Sequence, residues 1–212
     1  MNEDSTVVEN RVLTTAEIQN AAATFEGLDM GVPYIAQIFY NEVLRGTLNT
    51  KTSGSSGSLI FNINIPGITA EDISTALAGH AAEGTKKVTV NFASGMEFNM
   101  EGTITIPTGI QDISFVGSEN ANGKLSQLNK VYFAIESEVN DVNFEYLSMN
   151  SDGGFMFQVG AQKFHDITFE GCEVKQVNSA VRLHSGAEGN SVNFNNCWVS
   201  NTGGWSFLNV GS

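Results

Sequence analysis

From about residue 110 the chain alternates apolar and polar positions in short triplets that recur on a beat of about 25 residues. Ile113-Ser114-Phe115, Val142-Asn143-Phe144, Ile167-Thr168-Phe169 and Val192-Asn193-Phe194 share the order apolar, polar, Phe. Their Phe residues lie 29, 25 and 25 positions apart, and Val90-Asn91-Phe92, 23 earlier, reads as a further copy. A second triplet follows in step: Leu147-Ser148-Met149, Cys172-Glu173-Val174, Cys197-Trp198-Val199. A third follows again: Met156-Phe157-Gln158, Val181-Arg182-Leu183, Ser206-Phe207-Leu208. In-out-in alternation is the signature of a half-buried strand. Three short strands per beat, in register from one copy to the next, predict a parallel β-solenoid. A single coil cannot bury its inward side chains; stacking does so. Coils rise by about 4.8 Å, so roughly five would make a rod on the order of 24 Å long.

Ahead of the coils, Thr69-Ala70-Glu71-Asp72 has the form of a capping box, and Ile73 and Leu77 share one face of the helix it would start. Gly84 ends that helix, with Lys86-Lys87 near its negative end. The expected role is a cap over the open end of the solenoid. Residues 23–28, 35–40 and 45–50 read as three strands, and Ser53-Gly54-Ser55-Ser56-Gly57-Ser58 as a flexible linker. The predicted division is therefore 1–52, a linker with the strand leading into the coils over 53–67, and the solenoid over 68–212. Asn209-Val210-Gly211-Ser212 stops in or just after a coil without an evident cap, so the solenoid is expected to continue in a longer chain.

Composition narrows the function. Ten Lys and Arg face 23 Asp and Glu, a net charge of −13, which argues against a nucleic-acid partner or an anionic membrane surface. No apolar run approaches a membrane span, and the acidic Met1-Asn2-Glu3-Asp4 is not a signal peptide. Two Cys cannot make a disulfide framework; Cys172 and Cys197, one coil apart, read as small core residues. Cys-x-x-Cys, His-Glu-x-x-His, Gly-x-Ser-x-Gly and phosphate-loop patterns are absent, and His80, His165 and His184 are scattered.

The three-triplet beat resembles the right-handed parallel β-helix of the pectate-lyase-like superfamily. The breaks Glu145-Tyr146, Glu170-Gly171 and Asn195-Asn196 match that family's short turn between its second and third sheets, which often carries Asn. By that match Val181-Arg182-Leu183 lies on the first sheet. Leu28 six residues before Tyr34 resembles the tyrosine corner of fibronectin type III domains, although Met30 stands where Pro is usual. Only the last strands of such a β-sandwich fit in 1–52. A fibronectin-like tail, a linker and a pectate-lyase-like helix together resemble bacterial surface proteins of glycan-utilisation systems. The resemblance implies an extracellular or outer-surface location and a polysaccharide or oligosaccharide partner, beside neighbouring domains of a longer chain.

The expected fold is all-β: a parallel β-helix with an N-terminal cap helix after a partial sandwich. If Val181 and Leu183 point inward, Phe157, Arg182 and Phe207 form an outward column on the groove-forming sheet, flanked by His184 and Trp205. Aromatics stack on sugar faces and Arg grips hydroxyl or carboxylate groups. The other reading is that these aromatics cover their flank, or slip by one residue into the core. No Asp cluster accompanies Arg182, and paired acids at the spacing an inverting hydrolase needs are missing. Catalytic residues and cofactors are thus not expected. The expectation is a non-catalytic glycan-binding or scaffold protein. A polysaccharide lyase using Arg182 as base, and an adhesin-like structural rod, are the alternatives. Glu145 and Glu170, like Asp141 and Asp166, occupy equivalent places on adjacent coils about 5 Å apart. They are candidates for calcium, as true lyases bind it, against the plainer reading of solvated acids.

Overall fold

The computed structural model describes residues 7, 10–20, 23, 25, 33–51, 58–204 and 207–211. It divides into two compact units, Met1–Ser55 and Ser56–Ser212. The first holds a short helix, α1 (Thr15–Asn20), and an antiparallel hairpin, β1 (Pro33–Tyr40) and β2 (Val43–Lys51). Asn41 and Glu42 make the two-residue turn, both at positive φ (49° and 63°), as a tight hairpin with right-handed strand twist requires. Helix α1 has a capping box of its own: the Thr14 amide donates to Glu17 Oε2 (2.8 Å) and the Glu17 amide to Thr14 Oγ1 (3.3 Å). The strand expected over 23–28 and the Leu28–Tyr34 corner rest on positions or side chains outside those described.

The second unit opens with β3 (Ser58–Ile63) and α2 (Ala70–Ala82), then winds coil by coil. Two coils have two strands each: β4 (Lys87–Phe92) with β5 (Glu97–Ile106), and β6 (Asp112–Val116) with β7 (Ser126–Ile135). Three coils have three: β8 (Val139–Glu145), β9 (Leu147–Asn150), β10 (Phe155–Val159); β11 (Lys163–Glu170), β12 (Glu173–Val177), β13 (Ser179–Leu183); β14 (Glu188–Asn195), β15 (Trp198–Thr202), β16 (Leu208–Val210). Among the described residues they form two parallel sheets. A six-stranded sheet runs β3-β4-β6-β8-β11-β14; an eight-stranded sheet takes the rest. The long β7 pairs with β9 through Ser126–Leu128 and with β10 through Phe133–Ala134. Each strand of the expected three is therefore distinct only from β8 onward; earlier, the second and third run together.

Register bears out the stacking. Phe115, Phe144, Phe169 and Phe194 occupy successive rungs. Their rings stack with centroids 5.4, 4.6 and 4.5 Å apart and interplanar angles of 10–13°. The rung below Phe115 carries Val90, not Phe92. The copy in that coil is therefore Val88-Thr89-Val90, which restores the 25-residue step, and Phe92 packs edge-on against Phe98 at 5.4 Å. The turn after the six-stranded sheet is a column in the left-handed region: Tyr146, Gly171 and Asn196 have φ of 51°, 60° and 52°. A methyl group on Gly171 would lie 2.8 Å from the Tyr146 ring, so Gly there serves both the conformation and the close approach.

The cap helix forms as expected. Thr69 accepts from the Asp72 amide, and Asp72 accepts from the Thr69 amide (2.9 Å) and hydroxyl (2.7 Å). Ala70, Ile73 and Leu77 are buried. In chain order α2 takes the place of an eight-stranded-sheet segment in the first coil. Its Ser74 hydroxyl accepts from the Thr105 amide on β5 at 2.9 Å, satisfying a donor on the strand edge the helix covers. Among the described residues, no helix is long and apolar enough to cross a membrane.

Candidate functional site

The third-triplet residues do not keep a fixed step. Val174 pairs with Met149, 25 positions away, but Ser179 pairs with Phe155, 24 away, and Leu208 with Val181, 27 away. The turn between them loses one residue in one coil and gains two in the next. The outward column is therefore Gln158, Arg182 and Asn209, with Ala134 on the rung before. This corrects the expected placement of Phe157, which pairs with Val181, is fully buried and joins the core ring cluster beside Phe133 and Phe144. Phe207 is half-buried and packs its ring 4.1 Å from Phe194 at the end of the core. Trp205 lies outside the described residues. Arg182 does face outward, half-buried, with its guanidinium 4.4 Å from the centre of the Phe155 ring. His184 Nε2 is 3.3 Å from Gln158 Oε1. Beside this column is an open depression of about 400 Å³, lined by Thr103, Ala134, Ile135, Gln158, Gln162 and His184. The polar lining is amide, hydroxyl and imidazole, which can both donate to and accept from hydroxyl groups.

The outer face of the six-stranded sheet carries the acids. Asp112, Asp141, Asp166 and Ser191 stand on successive rungs, as do Glu145, Glu170 and Asn195. Lys87 pairs with Asp112 at 2.9 Å, and Asn196 donates to Glu170 Oε1 at 2.9 Å. At Asp141 and Asp166 the alternation breaks. Val139 and Phe164 are buried, the next two residues of each coil (Asn140-Asp141, His165-Asp166) both face solvent, and Val142 and Ile167 are buried again. His165 Nδ1 then sits 3.0 Å from Asp166 Oδ2 and 3.4 Å from Asp141 Oδ1. The other Asp166 oxygen accepts from Ser191 (2.6 Å) and Asn190 (2.9 Å), and these two bonds are the main reason its carboxyl is held below the ordinary Asp value. The 25-residue step stacks the two Asp, as the ladder does, but it does not bring His165 to them. The overlooked signal is a polar doublet at one place in each coil: Asn140-Asp141, His165-Asp166, Asn190-Ser191.

The thiols are core groups. Cys172 is buried, its Sγ 3.3 Å from the Phe144 carbonyl oxygen, and burial pushes its pKa up to about 12. Cys197 repeats the contact one coil on, to the Phe169 carbonyl at 3.4 Å. Comparison with protein-family models, with curated proteins and with solved structures finds no match to this chain. The fold is thus established as a parallel β-solenoid by its own register.

Proposed function

We propose that the chain is a non-catalytic glycan-binding or scaffold protein of the pectate-lyase-like β-helix kind. It works outside the cell or on a bacterial outer surface, with a polysaccharide or oligosaccharide as partner. The hairpin of the first unit is, in this reading, the end of a fibronectin type III-like domain. The observation that carries the glycan reading is the outward column Gln158–Arg182–Asn209 beside the open depression. It offers an aromatic-backed guanidinium between the amides of Gln158 and Asn209 on rungs about 4.8 Å apart, with the His184 imidazole against Gln158, a spacing suited to hydroxyls along an extended saccharide. Among the described residues, no carboxylate stands on that column to complete a lyase's calcium site or a hydrolase's acid pair.

The test is affinity electrophoresis through gels containing neutral or acidic polysaccharides. Retardation by at least one polysaccharide is expected, and Arg182→Ala and Gln158→Ala should each reduce it. The same polysaccharides are followed at the ultraviolet absorbance of unsaturated uronides, with and without calcium. Absorbance growth that Arg182→Ala abolishes would replace binding by lyase activity. Migration unaffected by every polysaccharide would leave the structural rod.

A further inference from the structure

We propose that Asp141, His165 and Asp166 form a surface site for a divalent transition-metal ion of the zinc class, held by Nδ1 of His165 and one carboxylate oxygen from each Asp. This site is on the six-stranded sheet and is independent of the glycan reading. Three observations support it. First, among the described residues this group has one ligand atom from each member, all within 4.8 Å of one another. The two separations from His165 Nδ1, 3.0 and 3.4 Å, match the roughly 3.3 Å edge of a tetrahedron with metal–ligand bonds of about 2.0–2.1 Å.

Second, neighbours on an extended strand normally point to opposite faces, so His165 and Asp166 could not share an ion. The corner between Phe164 and Ile167 turns both outward and puts them beside Asp141, fixed one rung away by the ladder. Ser191 and Asn190 hold the far oxygen of Asp166 and leave Oδ2 toward His165, as an outer shell orients a carboxylate ligand. Third, the side chains of His165 and Asp141 are 64% and 45% exposed, which leaves solvent access for water to complete the coordination. Imidazole with two carboxylates selects against calcium, which takes six to eight oxygens, and favours zinc, nickel or copper. Two carboxylates with a neutral imidazole also match a divalent charge.

Zinc chloride titrated calorimetrically into the tag-free full chain near neutral pH should show one ion bound. His165→Ala and Asp141→Asn should each weaken it by at least about tenfold. Both side chains are largely solvent-facing, so circular dichroism should be unchanged. Asp112→Asn, on the same column but already paired with Lys87, should leave the affinity as it was. Cobalt should give the intense visible bands of a four-coordinate ion in the wild type and lose them in His165→Ala. Three results would overturn the site: no zinc binding, zinc binding that His165→Ala does not weaken, or calcium binding as tightly as zinc. Any of them would leave the three groups a hydrogen-bonded cluster only.

Discussion

Phe169 is fully buried, with Phe144 on one face at 4.6 Å and Phe194 on the other at 4.5 Å. Truncating it removes a ring from the middle of a stack whose neighbours are fixed by ladder bonds and cannot collapse inward. Phe169→Ala is expected to cost about 3–5 kcal/mol in urea denaturation, and Phe169→Leu distinctly less. An Ala variant within about 1 kcal/mol of wild type would mean that the column contributes little. This column was legible because its spacing is regular and its residue is the same each time. Phe157 was not legible: its place depends on the length of the turn before it, and a one-residue difference sends a side chain to the other face. The Asp166–His165 pairing was hidden for a similar reason, since it depends on a corner where strand alternation lapses.

At the scale of elements, α2 was readable from its Thr-x-x-Asp capping box and its apolar face, whereas α1 has a Thr-x-x-Glu box but is too short to show a period. What no pattern announced is how α2 meets the sheet: the Ser74 hydroxyl takes up an edge amide that a missing strand would have paired. The cap is also sensitive to acid. Hydrogen bonds from the Thr69 side chain, and then its backbone, hold the Asp72 carboxyl below its ordinary value of 3.8. A depressed folded pKa adds stability that is fully present above the unfolded value and is lost as pH falls through the folded one. Thr69→Ala should therefore be less stable than wild type at neutral pH, and the gap should narrow as pH drops below about 4. Thermal melts of both proteins across that range check it; a gap independent of pH would show that Asp72 does not carry the effect.

Across the solenoid, each coil is buried by the coils beside it, and in the 212-residue chain β14–β16 is less enclosed than the coil before it. Ile167, Phe169 and Val174 are fully buried, while Val192, Phe194 and Val199, one rung on, are only partly so. Local opening should therefore start there. Amide hydrogen exchange read by mass spectrometry is expected to be faster in β14–β16 than in β8–β13. Equal protection in both would mean that the coils open only together. The six-rung sheet, against the roughly five coils expected, differs by the β3 rung, which the sequence reading placed before the solenoid.

The turn ahead of β10, β13 and β16 already differs by one and then two residues between adjacent coils, while the rungs on either side keep their partners. Such a joint is a natural splice point. Natural drift, or a protein engineer, can lengthen the connection there and reshape the rim beside Gln158 and Arg182 without rewriting the scaffold behind it.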